Sequence, residues 1–478
     1  MKNLLPVACN TNYVQKDGTF VAIQGEKKDG FLYVLQAITQ GATKIVCSKT
    51  ATELQDIGCP CSTKSTIWKS HPEGLQCPNC QTLFVSTEDP QRELAKLSAQ
   101  AADWPANKLT MIGITGTNGK TTTTWLIDHI LRIAGQKTAL IGSLEYHINN
   151  AVTPSTLTTP SADFLQNFLK CAVDAGVTHV IMEVSAHGLS QNRVGAIHFD
   201  AIGFTNLTQD HLDYYPSMEN YFTAKVQLIS QLKPLSKAVV NTSDSWGGKF
   251  AQLCSNQLIP FNHDHINITT TLNGTSCTLA DQTYTSPLIG NFNGSNMAMA
   301  ILIAQNLNIE NHIIHQALQS FNPVPGRMNL YKLKTGAFAC IDYAHNPGGM
   351  HATLSTLKPL TNNLTVIFGA GGDRDNTKRP QMGTITAEYA NTIVLTSDNP
   401  RSENPHEIIN QIKAGIPPTF FGNIMIDPDR KQAIESAIAT SKPGDIIAIL
   451  GKGAEEYQII GDQKIPMSDL QNITDWIL

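Results

Sequence analysis

The sequence has no long run of lysine or arginine, and charged residues make up only 15% of its 478 residues. With a net charge of −5, a basic surface for nucleic acid or anionic membranes is not indicated. No stretch approaches the roughly 18 apolar residues of a membrane-spanning helix, and Pro6 interrupts an N-terminal apolar run too short for a secretory signal. We therefore expect a cytoplasmic monomer without membrane insertion, whose ten cysteines are reduced thiols or metal ligands.

The chain also lacks internal repeats and low-complexity segments. From about residue 106 onward, apolar strand-like runs alternate with helical stretches, which predicts α/β domains with parallel sheets covered by helices. A chain of this length needs more than one hydrophobic core. The predicted domains are residues 1–105, with a cysteine-rich insertion at 59–80, residues 106–326 and residues 327–478.

Residues 397–405 read SDNPRSENP and follow the strand-like run NTIVLT. Two prolines exclude both a helix and a central strand here. The loop carries charges of both signs, and by itself it favours a solvated turn; the alternative is a clamp for a ligand with an amine and a carboxylate. The loop alone leaves both interpretations open.

The segment MIGITGTNGKTTTTW (111–125) predicts a strand, a glycine-rich turn and the start of a helix. Such a turn directs backbone N–H groups at phosphate oxygens, while lysine supplies charge and threonine a hydroxyl for Mg²⁺. The widespread phosphate-loop pattern needs glycine at position 114, which is Ile114 here, so the motif is the shorter GTNGKTT. The residues predicted to bind ATP phosphates are Gly116, Thr117, Asn118, Gly119, Lys120, Thr121 and Thr122.

Two later strand ends carry candidate metal ligands. Glu183, in VIMEVSAHGLSQNR, suits Mg²⁺ beside Thr121, although a helix-capping role is the alternative. His211, in FTNLTQDHLDYY, fits either a second divalent ion or a structural histidine. The pattern up to this point predicts an ATP-using enzyme with one or two Mg²⁺ sites.

Ten motifs occur in a fixed order: GTNGKTT, EVSAHGL, TNLTQDHLDYY, YFTAKVQLI, GNFNGSNMAMA, VPGRM, DYAHNP, FGAGGDRDNTKRP, SDNPR and GKGAEEYQ. This succession resembles the Mur ligase family, the ATP-dependent amino-acid ligases of peptidoglycan synthesis. The resemblance implies three domains, with a central P-loop-type parallel sheet and a C-terminal Rossmann-like domain. It is strongest to members that join meso-2,6-diaminopimelate to UDP-MurNAc-L-Ala-D-Glu through an acyl phosphate.

The resemblance also implies roles for nucleotide and metal ligands. Asn293 and Asn296 would contact adenine, Asp342 the ribose and Arg327 the γ-phosphate. Lys225 would be carbamylated to N6-carboxylysine, because a carbamate offers Mg²⁺ an oxygen anion where an ammonium would repel it. The implied Mg²⁺ ligands are Thr121 and Glu183 for one ion and His211 and Lys225 for the other. The implied catalytic residues are Lys120, Glu183, His211, Lys225 and Arg327.

Residues implied to bind the UDP-MurNAc-dipeptide are Thr11, Thr158, Thr159, Ser185, Gln191 and Arg193. Two departures weaken this set: Leu157 stands where asparagine is frequent, and Asn10-Thr11-Asn12 replaces the usual Asp-Ser-Arg near the uracil.

Residues implied to bind diaminopimelate are Arg374, Asp398, Asn399, Pro400, Arg401, Gly451 and Glu455. Arg374 and Arg401 would grip the distal carboxylate, whereas Asp398 and Glu455 would accept hydrogen bonds from the distal ammonium. Ala454 replaces the histidine of the usual GKGHE.

The insertion has no counterpart in the family pattern. Its cysteines, Cys59-x-Cys61 and Cys77-x₂-Cys80, have nearly the spacing of a zinc ribbon, so they predict either a structural Zn²⁺ or free thiols in a long loop.

Three alternative functions remain at this point. A sister ligase would add L-lysine, and a folylpolyglutamate-synthase-like ligase would share the phosphate loop and the carbamylated lysine. A nucleotide-binding scaffold that has lost catalysis would have a broken phosphate loop or missing metal ligands, and neither is seen.

Overall fold

The computed structural model describes residues 5–25, 28–61 and 68–478. Its backbone divides into two units. The first unit comprises Met1–Gly113, Gly135–Ile202 and Ala224–Ser236. The second unit comprises Ile114–Ala134, Gly203–Thr223 and Lys237–Leu478. The predicted domain boundaries after residues 105 and 326 stay predictions. Across the three described ranges, no helix combines the length and the apolar character that a membrane span requires.

The N-terminal residues form a mixed sheet with three α-helices. The elements are β1 (Val7–Ala8), β2 (Thr19–Val21), α1 (Val34–Thr39), β3 (Lys44–Cys47), α2 (Ala51–Ile57), β4 (Lys69–His71), β5 (Gly74–Gln76), β6 (Leu83–Ser86) and α3 (Pro90–Ala101). The sheet order is β1-β2-β3-β6-β5-β4. The first four of these strands pair in parallel, and the antiparallel hairpin β4–β5 extends the sheet beyond β6.

Local sequence explains where helices in this region begin. Thr50 caps α2 by accepting the N–H of Glu53 at 3.2 Å, and the Glu53 carboxylate accepts the Thr50 N–H at 2.7 Å. This reciprocal capping box satisfies two N–H groups that a helix start otherwise leaves without partners. Asp89 caps α3, whose first residue is a proline with no N–H to satisfy.

The middle of the chain forms an eight-stranded sheet and a three-stranded sheet. The elements are β7 (Thr110–Thr115), α4 (Lys120–Ile133), β8 (Thr138–Ile141), β9 (Glu145–Ile148), β10 (Ala151–Pro154), α5 (Ala162–Asp174), β11 (His179–Glu183), α6 (Ala186–Ser190), β12 (Phe199–Phe204), α7 (Met218–Val226), β13 (Leu232–Asn241), α8 (Ser245–Leu253), β14 (Leu258–Phe261), β15 (Ile266–Thr271), β16 (Gly274–Leu279), β17 (Gln282–Ser286), α9 (Asn291–Asn306) and α10 (Asn311–Gln319). The larger sheet has the order β10-β9-β8-β11-β7-β12-β13-β14, and the smaller one β15-β16-β17.

The C-terminal residues form a second Rossmann-like sheet. The elements are β18 (Asn329–Lys332), β19 (Phe338–Asp342), α11 (Pro347–Leu357), β20 (Leu364–Phe368), α12 (Lys378–Tyr389), β21 (Thr392–Leu395), α13 (Pro405–Lys413), β22 (Asn423–Ile426), α14 (Arg430–Ala439), β23 (Ile446–Leu450), β24 (Tyr457–Ile460), β25 (Gln463–Pro466) and α15 (Asp469–Thr474). The sheet order is β18-β19-β23-β20-β21-β22, and β24–β25 is a separate hairpin.

The central strand β23 of the C-terminal sheet is buried on both faces. Ile446, Ala448 and Leu450 of β23 pack in a core with residues of α11, α12 and α13, whereas Ile447 and Ile449 pack in another core with α14 and α15. Successive side chains of a strand point to opposite faces, so the unbroken apolar run IIAIL predicts helices on both sides. The predicted α/β class with helix-covered parallel sheets is confirmed.

A buried ion pair joins α14 to α15. Arg430 Nε donates to Asp469 Oδ1 at 2.8 Å and Nη2 to Oδ2 at 2.7 Å, and Nη2 also donates to the Leu450 carbonyl at 2.9 Å. The two residues are 2% and 0% exposed. The contact with Leu450 fixes the end of β23 directly before the loop that begins at Gly451.

We expect Asp469→Ala to lower the free energy of unfolding of this domain by about 3–5 kcal/mol, because it leaves the Arg430 charge buried without its partner. The measurement is a urea titration followed by circular dichroism. Glu435→Ala is the matched control, since the Lys431–Glu435 pair is exposed and should contribute less than about 1 kcal/mol. Equal effects of the two substitutions would contradict this prediction.

Candidate active site

In the second unit, the phosphate loop adopts a backbone that requires glycine at two positions. Gly116 has φ 142° and Gly119 has φ 87°, values that side chains disfavour. A Cβ at Gly116 would collide with Thr205 Oγ1, and one at Gly119 with Asn296 Oδ1. The loop leads into the N-terminus of α4, where unpaired N–H groups and the helix dipole favour an anion.

The segment after β12 holds this loop in place. Thr205 Oγ1 and Asn206 Nδ2 donate to the Asn118 carbonyl at 2.7 and 3.1 Å, and Asn118 N–H donates back to Asn206 Oδ1 at 3.0 Å. Thr117 N–H donates to the Asn206 carbonyl at 2.9 Å. Thr205 and Asn206 lie in the motif TNLTQDHLDYY but had no predicted role. Their position directly after a strand was the feature of the sequence that could have indicated one.

Lys120 folds back over the loop. Its Nζ donates to the carbonyls of Gly116 and Thr117 at 2.9 and 2.8 Å. These bonds place the ammonium beside the N-terminus of α4. A phosphate bound there would meet both the lysine charge and the backbone N–H groups.

Arg327 lies close to the phosphate loop as well. Its Nη2 is 3.5 Å from Thr121 Oγ1, and its guanidinium carbon is 4.2 Å from the centre of the Tyr343 ring. Stacking on an aromatic face orients a guanidinium without neutralising it. The arginine predicted for the γ-phosphate therefore stands next to the threonine predicted for Mg²⁺.

Asp342 and the two asparagines of α9, Asn293 and Asn296, form hydrogen bonds to other groups of the protein. Asp342 accepts from Met328 N–H at 2.8 Å, Ala344 N–H at 2.9 Å and Thr353 Oγ1 at 3.0 Å. Burial raises the pKa of the Asp342 carboxyl. Asn296 Nδ2 donates to Asn293 Oδ1 at 3.0 Å, and both asparagines are buried. These residues, predicted to contact the nucleoside of ATP, thus have hydrogen-bond partners within the protein.

Asp210, beside the predicted metal ligand His211, is a buried hub that sequence reasoning missed. It receives Asn346 Nδ2 at 3.1 Å and pairs with His345 and Lys378, each at 3.5 Å. Burial would raise its pKa, but the hydrogen bond and charge of His345, with the charges of Lys378 and His211, hold the pKa of Asp210 well below its usual range. The carboxylate is thus ionised at the point where it meets His345, Asn346 and Lys378.

The SDNPRSENP loop is fixed by its own network rather than solvated. Asn399 donates to Glu455 Oε2 at 2.9 Å and accepts from Lys452 Nζ at 3.2 Å and Ile459 N–H at 2.9 Å. Lys452 is fully buried and also binds Glu455 at 2.8 Å. The structure therefore brings Asn399 and Glu455, both predicted for diaminopimelate, into one cluster.

Gly451 and Asp398 also meet. Gly451 has φ 110°, and a Cβ there would lie 2.6 Å from Asp398 Oδ2. Asp398 is buried and accepts its neighbour's N–H at 2.6 Å.

Ala454 lies against Gly326 in the adjacent loop, where a Cβ on the glycine would collide with the Ala454 nitrogen.

Two arginines flank Gly371. A Cβ at this glycine would lie 2.9 Å from Arg401 Nη1 and 3.7 Å from Arg374 Cγ. Arg401 has φ 50° and donates Nη1 to the Gly372 carbonyl at 2.8 Å. Among the described residues its Nε and Nη2 groups have no acceptor, and the exposed Arg374 side chain likewise makes no hydrogen bond there.

Glu403 anchors the far end of the loop. It accepts two bonds from the fully buried Arg379, at 2.7 and 2.9 Å, and a third from Asp373 N–H at 2.6 Å. The hydrogen bond from Arg379 holds the pKa of Glu403 below its usual range. The Glu403 carboxylate is thus held within the protein by three hydrogen bonds.

In the first unit, Glu183 ends β11 and is 1% exposed. Ser143 orients it, since its N–H donates to Oε1 at 2.8 Å and its hydroxyl to Oε2 at 3.0 Å. A Cβ at Gly142 would lie 2.7 Å from Oε1. Ser143, which also contacts Thr158 at 3.0 Å, was missed because no motif surrounds it.

Four residues predicted for the dipeptide form one network in the same unit. Thr159 Oγ1 donates to Ser185 Oγ at 3.1 Å and receives Ser185 N–H at 2.9 Å. Arg193 donates Nη1 to the Thr159 carbonyl at 2.6 Å and Nη2 to Gln191 Oε1 at 2.6 Å. At the position of the expected asparagine, the Leu157 carbonyl accepts from the Tyr146 hydroxyl at 2.6 Å.

Lys225 and Thr11 also belong to the first unit. Lys225, in the last turn of α7, is 1% exposed, which is rare for lysine. Thr11 begins a short 3₁₀ helix and is partly buried. The four cysteines of the insertion lie within 4.8 Å of one another, measured between their Sγ atoms.

We expect Glu403→Gln to destabilise the protein by about 1.5–3 kcal/mol at neutral pH, because Arg379 loses hydrogen bonds to a charged partner. The folded pKa of Glu403 is depressed. Its contribution is therefore present above about pH 4.3, the unfolded value, and is lost as pH falls through the folded pKa. Urea midpoints at several pH values measure this. The control Glu388→Gln, at an exposed position, should have nearly the same urea midpoint as wild type at every pH. A difference in midpoint between Glu403→Gln and wild type that stays constant down to acid pH would contradict this prediction.

Comparison with known proteins places the chain in a family. Residues 114–304 match the Mur ligase middle domain, and residues 326–453 match the Mur ligase, glutamate ligase domain. A UDP-N-acetylmuramoyl-L-alanyl-D-glutamate--2,6-diaminopimelate ligase of Gloeobacter violaceus is 38% identical, covering 97% of this chain and 91% of its own length. A ligase of the same name from Aquifex aeolicus is 36% identical, with coverages of 99% and 94%.

A solved structure of a protein with this name is also similar. It is 26% identical, has a TM-score of 0.64, and the match covers 98% of this chain and 93% of that protein. The predicted three-domain Mur ligase architecture is confirmed, as is the predicted relationship. Agreement of sequence and fold over nearly the whole length shows that the chain belongs to the Mur ligase family.

Proposed function

We propose that this chain is an ATP-dependent, amide-bond-forming ligase that adds meso-2,6-diaminopimelate to UDP-MurNAc-L-Ala-D-Glu in peptidoglycan biosynthesis. The observation that carries the proposal is the phosphate loop at the start of α4, with Lys120 folded over it and Arg327 3.5 Å from Thr121. The names of the relatives from Gloeobacter violaceus and Aquifex aeolicus supply the substrates.

The chemistry follows from the poor reactivity of a carboxylate toward an amine. The D-glutamyl γ-carboxylate first attacks the γ-phosphorus of ATP, which gives an acyl phosphate and ADP. Lys120 and Arg327 neutralise charge on the phosphoryl group during transfer. The amine of diaminopimelate then attacks the acyl carbon, the tetrahedral intermediate loses a proton, and phosphate leaves.

Mg²⁺ suits the proposed ligands because it prefers hard oxygen donors. Thr121 offers a buried hydroxyl, and Glu183 a buried carboxylate held by two bonds from Ser143. Bound Mg²⁺ would offset negative charge on the phosphates. His211 and a carbamylated Lys225 are the proposed ligands of the second ion; burial of Lys225 supports a modification that replaces its positive charge.

The dipeptide of the UDP-linked substrate is proposed to bind at Thr158, Thr159, Ser185, Gln191 and Arg193. The network among the last four supports this, since it presents a preformed polar surface. Thr11 is proposed for the uridine end, and Asn293, Asn296 and Asp342 for the nucleoside of ATP. Their internal bonds suggest that they act mainly by shaping the surrounding loops.

For diaminopimelate, we propose that Arg401 and Arg374 bind the distal carboxylate while Asp398 and Glu455 accept from the distal ammonium. Asn399, Pro400 and Gly451 shape this clamp. Two observations support this. Both arginines have N–H groups without acceptors among the described residues, and the Glu455 carboxylate is held by Asn399 and Lys452. L-lysine has the distal ammonium but no distal carboxylate, so it would leave the arginines without a partner.

The direct test is ADP release with UDP-MurNAc-L-Ala-D-Glu, ATP and Mg²⁺, comparing meso-diaminopimelate, L-lysine and L-ornithine. We expect turnover that depends on meso-diaminopimelate and falls at least about 10-fold with L-lysine, because L-lysine lacks the carboxylate that would accept charged hydrogen bonds from Arg374 and Arg401. Lys120→Ala should lose activity with all three while retaining its circular dichroism spectrum. Preference for L-lysine would support the sister ligase, activity with a folate and glutamate would support the folylpolyglutamate-type ligase, and no turnover would support a non-catalytic scaffold.

We expect Arg401→Ala to raise the KM for diaminopimelate about 10–100-fold, the value of one charged hydrogen-bonding partner, while the KM for ATP changes little. Steady-state kinetics with each substrate varied in turn measure this. Lys413→Ala, an exposed change on the neighbouring α13, serves as control. An equal rise in both KM values would mean that the SDNPRSENP loop is only a structural turn.

A cytoplasmic location, a monomeric state and the absence of nucleic-acid binding stay predictions from the sequence. A structural Zn²⁺ in the insertion is a separate proposal, because four cysteine ligands leave no open position for catalysis.

A further inference from the structure

The cysteine-rich insertion is built onto the N-terminal sheet. Its hairpin β4–β5 pairs antiparallel with β6 through the registers Leu75–Phe84 and Gln76–Leu83. Trp68 packs edge-on against Phe84 with ring centres 5.0 Å apart, and its Nε1 donates to the Leu54 carbonyl at 2.9 Å. The hairpin is only three residues per strand, too short to be stable by itself.

Four cysteines converge at the base of this hairpin. Cys59 and Cys61 follow α2, whereas Cys77 and Cys80 lie in the turn between β5 and β6. The sulfur of Cys59 is 3.8 Å from that of Cys80, and the sulfur of Cys61 is 3.6 Å from that of Cys77. Zn–S bonds of about 2.3 Å in a tetrahedron place sulfurs about 3.8 Å apart. Two segments far apart in sequence thus present a nearly complete metal-binding tetrahedron.

The backbone around Cys77 adds donors to the sulfur. The N–H groups of Asn79 and Cys80 are directed at Cys77 Sγ, and that of Cys61 at Cys59 Sγ. Gln81 N–H closes the turn on the Cys77 carbonyl at 2.9 Å, with Gln81 at φ 60°. Hydrogen bonds of this kind orient thiolate ligands and stabilise their charge at a metal. The turn is thus shaped for a bound ion.

The ligand set indicates which ion fits. Four sulfurs suit Zn²⁺ and are poor ligands for the Mg²⁺ of the ligase reaction. His71 is turned away from them, since its Nδ1 accepts the Glu73 N–H at the hairpin tip at 3.2 Å. The Cys59–Cys61 sulfur distance of 3.1 Å would have to open by about 0.7 Å to reach the tetrahedral spacing.

We propose that Cys59, Cys61, Cys77 and Cys80 bind one structural Zn²⁺ that fastens the β4–β5 hairpin to the end of α2 and to β6. Cys59 and Cys77 belong to the hydrophobic core of the N-terminal sheet, together with Leu54 and Phe84. Zinc coordination therefore supplies stabilisation that so short a hairpin does not obtain from apolar contacts. The site is independent of the ligase chemistry.

The test is the metal content of the untagged, full-length protein by mass spectrometry after growth in zinc-containing medium. We expect about one zinc per chain, which a mercurial thiol reagent releases, and a cobalt-substituted protein with the visible bands and sulfur-to-metal charge transfer of a tetrahedral thiolate site. A Cys77→Ser/Cys80→Ser variant should contain below about a tenth of that zinc, whereas Cys171→Ser, at a cysteine outside the cluster, should contain as much as wild type.

Two results would overturn the proposal. One is wild-type protein with below about a tenth of an equivalent of zinc and no thiolate charge transfer with cobalt. The other is zinc retained undiminished in the double serine variant. If that variant does not fold, the wild-type zinc content and cobalt spectrum decide the matter by themselves.

Discussion

The hydrogen bonds between Asn118 and the segment Thr205–Asn206 are the constraint on which the second unit's site depends. They lock a glycine-rich loop, which would otherwise sample many conformations, into one that faces the start of α4. Lys120 Nζ donates to the Gly116 and Thr117 carbonyls, and this loop conformation keeps both carbonyls in place. The backbone conformation of the glycine-rich loop thus follows from Asn206, an asparagine outside the loop that lies after a neighbouring strand.

Two buried carboxylates form hydrogen-bond networks in addition to the bonds between Asn118 and Thr205–Asn206. Asp210 links Asn346 and Lys378, and Asp342 links Met328 and Thr353. Each carboxylate joins segments that are distant in sequence, and each has its partners supplied by the fold. Satisfied networks of this kind favour one arrangement over its alternatives, because a half-satisfied buried carboxylate is costly. The protein thereby keeps its loops ordered for ligands before they bind.

The sequence predicted the α/β class and the family because both depend on repeated local patterns: apolar runs ending in glycine or charge, and ten ordered motifs. It also placed Asn399 and Glu455 in one clamp, and the structure brings them together. It did not reveal Ser143, Asn206, Asp210 or Lys452. Their roles come from contacts across long sequence separations, for which a single sequence contains no periodic signal. Glu403 likewise received no role from the sequence, because its partner Arg379 lies 24 positions earlier.

Main-chain hydrogen bonds hold the SDNPRSENP loop in addition to the side-chain bonds of Asn399 and Arg401. Arg401 N–H donates to the Ile459 carbonyl, and Gly372 N–H to the Asn399 carbonyl, at 3.0 and 2.9 Å. These main-chain bonds do not involve the side chain at position 401. The side chains proposed to choose the ligand can therefore be exchanged during evolution while the backbone frame of the loop stays in place.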